Sequence, residues 1–157
     1  MNKLVRNIVF EEDGILRFWS TDAFNPQPDE VYLRRFADKN PIMVDGADIP
    51  EDLEYNVSWE IKANKKGLQI NMGKAKEVHK EFLRREREPY FKEADDLYIQ
   101  TLSKKKQDKV VTDRQNYLRD ITDDVKIKNA KTIADLKAVK VKEWTDKPKV
   151  NDLPNKT

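Results

Sequence analysis

Residues 55–82 read YNVSWEIKANKKGLQINMGKAKEVHKEF, and two kinds of backbone meet within them. Tyr55, Val57, Trp59 and Ile61 alternate with Asn56, Ser58, Glu60 and Lys62. A period of two lays the four apolar side chains on one face of a strand. Asn64-Lys65-Lys66-Gly67 reads as a turn, with Leu68, Ile70 and Met72 as the partner strand. After Gly73 the pattern changes. Residues 74–102 contain no glycine and one proline, and Val78, Phe82, Phe91, Ala94, Tyr98 and Leu102 follow steps of three and four, broken around Pro89. A helix of that extent is about 44 Å long. Pro89 lacks a backbone donor, so a kink or a restart of the helix is expected there.

Upstream, strand grammar continues to the N-terminus. Leu4 to Phe10 and Ile15 to Trp19 are β-prone runs joined through Glu11-Glu12-Asp13-Gly14, and Asp-Gly between such runs is a strong hairpin signal. Pro26 and Pro28 mark a loop from Ser20 to Asp29. Val31 to Phe36 suits a strand or a short helical turn, with the strand preferred; Pro41 to Val44 is a shorter apolar piece, and Ile49 to Leu53 a tight turn or single helical turn. Downstream, Ser103 to Gln107 is a basic polar break. A second helix is expected over Asp108 to Asp120, where Val110/Tyr117 and Val111/Leu118 repeat at seven residues. Thr132 caps a short helix, Ile133 to about Val141, with Asp135 in its first turn. The fold class is therefore α+β. An antiparallel β domain of about five strands (1–72) precedes a helical hairpin (73–122), a short helix and linker (123–144) and a flexible tail (145–157). A connection near residue 105 sets residues whose numbers add to about 210 opposite one another. Asp95 and Asp96 then lie near Arg114 and Gln115, and Arg85 and Arg87 near Asp123 and Asp124.

Composition narrows the function classes. Of 157 residues, 38% are hydrophobic and 38% charged, so the core is modest for the chain length and a partner or further copies of the chain are expected to complete it. There is no cysteine, hence no disulfide framework or thiolate metal site. No signal-peptide h-region and no membrane-spanning apolar run is visible, which suggests a soluble protein made in a reducing compartment. The net charge of +2 is split: residues 1–72 hold 9 Lys/Arg against 13 Asp/Glu, residues 73–157 hold 22 against 16. Acids interleave with the bases nearly throughout, which argues against a nucleic-acid surface.

Chemistry-bearing residues are sparse. His79, the single histidine, has no partner at a recognised ligand spacing and reads as a helix-surface residue. Asp95-Asp96 and Asp123-Asp124 read as solvated or ion-paired acids. The glycines at 14, 46, 67 and 73 stand alone, so no phosphate-cradling loop is present. No catalytic residue, metal or cofactor is expected. Lys104-Lys105-Lys106 and Arg84-Arg85-Glu86-Arg87 are the best candidates for phosphate contacts, yet their dilution by glutamate favours a solvated helix face. Trp19 and Trp59 suit the β core; for Trp144, core packing and partner anchoring both stand open.

The run His79 to Asp124, HKEFLRREREPYFKEADDLYIQTLSKKKQDKVVTDRQNYLRDITDD, resembles the C-terminal region of small tailed-bacteriophage tail and tail fibre assembly proteins. The likeness lies in Leu83, Arg84 and Arg87 at the helix start, Asp95 or Asp96 about ten residues on, and the closing Arg114-Gln115-Asn116-Tyr117-Leu118-Arg119-Asp120-Ile121-Thr122. The later KTIADLKAV resembles the short helix that often follows, so the likeness covers about residues 74–140. It implies a phage origin, a place at or near the tail, and no catalytic residue. The expected function is a non-enzymatic virion structural or adaptor protein of tail, fibre or neck. It would be made in the host cytoplasm and held in several symmetric copies or as a homo-oligomer against other phage structural proteins. A fibre assembly chaperone and a nucleic-acid-binding module are the alternatives. Arginines and aromatics dominate interface hot spots, and the candidate partner-binding residues are Arg84, Arg87, Tyr90, Arg114, Tyr117, Arg119 and Trp144.

Overall fold

In the computed structural model, residues 6–21, 27–103 and 108–149 are described. The chain separates into two compact units, residues 1–75 and 76–157.

In the first unit, strands β1 (Arg6–Glu12) and β2 (Ile15–Ser20) form a hairpin whose two turn residues, Asp13 and Gly14, have φ of 54° and 74°. Two successive positive φ values define the type I′ turn that matches strand twist, and Gly at the second position relieves the strain. Strand β3 (Ile42–Asp45) pairs antiparallel with the other edge of β1, giving the order β2-β1-β3. As the central strand, β1 buries both faces. Ile8 and Phe10 pack with Tyr32, Trp19, Phe36 and Met43 on one side. Val9 packs with Ile42, Val44, Ile49, Trp59 and Leu68 on the other. The first side is covered by a helix, α1 (Asp29–Arg34), and the second by the two-stranded ribbon β4 (Trp59–Ile61) and β5 (Leu68–Ile70).

Of the two readings open for Val31 to Phe36, the structure takes the helical one over the preferred strand. Pro28 ends the extended backbone, Asp29 and Glu30 lie in the positive first turn of α1, and Arg34 lies in its last turn. Arg6 secures this start by reaching Asp29 Oδ2 at 2.7 Å and Asp45 Oδ1 at 2.7 Å. Tyr55 to Lys62 is not one strand either, since residues Leu53–Ser58 form two 3-10 turns that meet at a kink at Tyr55, and pairing begins only at Trp59. Tyr55 and Ser58 are buried three residues apart, whereas Val57 is 65% exposed. Burial here follows a step of three and not the apolar alternation, and Ser58 Oγ donating to the Tyr55 carbonyl at 2.7 Å closes the turn.

A single long helix, α2 (Met72–Ser103), follows, with the unit division inside its first turn. It begins at Met72, which was expected in a strand, and runs through Pro89 without a restart; at 32 residues it spans about 48 Å. Of the expected polar break, Ser103 is the last residue of α2 and residues 104–107 lie outside the described ones; of the expected tail, residues 145–149 are described, with Lys147 paired to Glu93, and 150–157 are not. Helix α3 (Lys109–Asp120) starts at Asp108, whose carboxylate accepts from Val110 N at 2.8 Å. Gln115 Nε2 donates to Asp95 Oδ1 at 2.7 Å, whereas Arg87, earlier on α2, meets α3 later, at Leu118 and Arg119. The two helices are therefore an antiparallel hairpin. Asp124 caps α4 (Val125–Asn129), and a reciprocal Thr132–Asp135 capping box opens α5 (Ile133–Lys137), a shorter helix than expected. Buried Leu83, Leu97, Val111, Leu118, Ile127 and Leu136 are part of this unit's core.

Candidate partner-binding site

Val111, Arg114 and Leu118 are the buried positions of α3, at the three- and four-residue steps of one helix face. A core position is thus filled by arginine, 7% exposed. Its guanidinium carbon lies 5.3 Å from the ring centre of Tyr90, 5.2 Å from Tyr117 and 5.7 Å from Trp144. Nε and Nη2 are sealed from solvent and meet no hydrogen-bond acceptor among the described residues. The cation is held by π faces instead of a carboxylate, each contact contributing about 0.5–2 kcal/mol depending on desolvation. The expected approach of Asp96 to Arg114 is replaced by Tyr90.

The ring of aromatics is itself secured. Tyr117 Oη accepts from Lys142 N at 2.8 Å, which ties the extended chain before Trp144 to α3. Beside the cage lies a cavity of about 240 Å³ lined by Val110, Arg114, Tyr117 and Trp144, with Asp113, Glu143 and Asp146 at its wall. Arg87 packs over the Phe91 ring and donates to the Leu118 and Arg119 carbonyls at 2.7 and 2.9 Å. It satisfies carbonyls that the end of a helix leaves without partners. This corrects the expected pairing of Arg87 with Asp123 or Asp124, the latter carboxylate being the α4 cap.

Four of the seven candidate residues, Tyr90, Arg114, Tyr117 and Trp144, therefore meet in one cluster. The other three do not. Arg87 is a helix-end clamp, Arg84 pairs with Glu81 one turn away, and Arg119 donates to Asn116 at 3.1 Å.

His79, expected on the helix surface, is buried, and Nε2 lies 2.9 Å from the Val139 carbonyl, the geometry of an N–H donor. Its burial follows from the fold-back of the α5 region over α2, which local sequence does not reveal. Loss of hydration holds the imidazole below its usual value of 6.5, while the Val139 carbonyl and Glu86 oppose that shift. Among the described residues no group of three His, Asp or Glu side chains is placed to hold a metal. No helix among them is long and apolar enough to cross a membrane. Lys104 to Lys106 lie outside the described residues.

No protein family, curated protein or solved structure matches the chain.

Proposed function

We propose that this chain is a non-enzymatic structural or adaptor protein of a tailed-phage particle, seated at the tail, fibre or neck and acting through protein–protein contacts. The observation that carries the adaptor role is the placement of large apolar side chains in solvent within both units. Ile15, Phe18, Leu53 and Val57 are exposed in the first, and Tyr98, Ile99 and Leu102 along the last turns of α2 in the second. Single exposed apolar residues are ordinary, but such groupings mark surfaces that another protein covers. Beside the buried Arg114, the half-buried rings of Tyr90, Tyr117 and Trp144 add aromatic side chains, a residue type enriched at interfaces. The phage assignment is supported by the resemblance of residues 74–140, above all Arg114 to Thr122.

Mass spectrometry of purified particles tests the proposal. The chain is expected in several copies per particle, retained through gradient purification. Its absence from particles while abundant in infected cells would refute a virion role and favour the assembly chaperone.

A further inference from the structure

The three-stranded sheet is open beyond β2, since no described strand lies on that side. The two-residue turn decides which backbone groups face outward there. Glu12 and Ile15 flank it as a hydrogen-bonded pair, and such pairs recur at every second position, Phe10 with Arg17 and Ile8 with Trp19. The N–H and C=O groups of Leu16, Phe18 and Ser20 therefore point away from β1. Natural sheets defend such edges with brevity, charge, proline or a bulge. The opposite edge does so: β3 has four residues, follows Pro41, and ends at Asp45 in an ion pair with Arg6. β2 does not. It has six residues in unbroken register, no proline, and one charge, Arg17. Along it Phe18 is 40% exposed and, with Leu16, Val57 and Trp59, lines an apolar cavity of about 120 Å³.

We propose that β2 pairs antiparallel with β2 of a second copy of this chain, joining two three-stranded sheets about a two-fold axis at Phe18. Charge and backbone geometry both select this register. A two-fold axis through the sheet must set residues of one face opposite one another, so the axis falls on a residue. On Arg17 it would place two like charges face to face, which destabilises a strand pair. It would also leave Ser20 without a facing partner among the outward groups. On Phe18 it pairs Leu16 with Ser20, Phe18 with itself, and Ser20 with Leu16 of the second copy. Every outward N–H and C=O of β2 is then matched, and Arg17 faces Trp19 instead of another arginine. The two Phe18 rings meet on the side of the sheet that carries Trp59, whose edge already contacts Phe18 at 6.0 Å between ring centres. So short a seam is smaller than a standard interface, and dissociation constants on the order of 10–100 µM are expected. This pairing goes beyond the proposed virion role and does not depend on it.

Sedimentation velocity on the whole chain over a concentration series tests it. The wild-type protein is expected to pass from monomer to dimer, and a monomer at several times the upper value above overturns the proposal. Phe18→Lys and Phe18→Glu each place like charges on the axis and should weaken self-association at least about ten-fold. An equimolar mixture of the two variants should dimerise again. Homodimers of either variant as tight as wild type, or no rescue on mixing, contradict the register. Circular dichroism reports whether the variants fold. If they do not, amide exchange on the wild type decides: the N–H groups of Leu16, Phe18 and Ser20 should slow as concentration rises, and unchanged rates overturn the pairing. A chain that is monomeric yet abundant in particles would remove this inference and leave the proposed function standing.

Discussion

Arg114 and His79 are polar residues buried in the helical unit, and their environments predict different responses. Arg114 stabilises through volume and π contact while its Nε and Nη2 remain without acceptors. Arg114→Ala should therefore cost about 2–3 kcal/mol, because it opens a cavity among Tyr90, Tyr117 and Trp144 and removes the cation. Arg114→Met keeps most of the volume and removes the buried charge, so chemical denaturation should find it within about 1 kcal/mol of wild type. Equal losses in the two variants would show that the charge itself is indispensable. For His79 the folded state prefers the neutral ring, so the unfolded chain binds a proton more readily below the usual value of 6.5. Stability is then complete above that value and falls as pH drops toward the lowered folded-state value. Urea titrations at pH 7.5 and 5.5 should show a larger loss for wild type than for His79→Gln. The same loss in both would contradict the assignment. Neither environment was legible in the sequence. Tyr90 and Trp144 reach Arg114 from distant points of the chain, and His79 meets Val139 across 60 residues.

Whole elements were read from the sequence where a local device specifies them. The Asp13-Gly14 turn and the Thr132–Asp135 box each satisfy backbone groups within a few residues, so their signals are complete in the sequence. The antiparallel pairing of α2 with α3 was legible too: Asp95 opposite Gln115 fits the expected register, whereas Arg87 meets Leu118 and Arg119 and not Asp123 or Asp124. Errors arose where a short apolar alternation was outweighed by tertiary packing. Tyr55, Val57 and Trp59 alternate as in a strand, yet Tyr55 and Ser58 are buried three residues apart and Val57 is exposed. Val31 to Phe36 suited a strand or a short helical turn, and Asp29 and Glu30 in the first turn of α1 favour the helix. Two substitutions test the elements. Thr132→Ala removes the oxygen that accepts from Asp135 N and should lower stability by about 1 kcal/mol in thermal unfolding. Pro89→Ala restores a donor inside α2 and should raise stability by about 1–3 kcal/mol. A destabilised alanine variant would mean that the proline ring packs against something its helix position does not reveal.

For the whole molecule, the sequence separated a β-rich front from a helical back, and the structure has two compact units whose division falls inside the first turn of α2. What no local pattern revealed is which surfaces stay open. That depends on strand order, which leaves β2 at an edge, and on the exposure left to Phe18, Val57 and Ile99 once each unit has packed. These surfaces are why the chain is read as a component to be gripped by other proteins. Cross-linking mass spectrometry on intact particles tests that reading most directly, because lysines occur in both units and report on neighbours in place. Reproducible cross-links from this chain to at least one other structural protein of the particle are expected. A chain present in particles but cross-linked only to itself within one copy would contradict that reading.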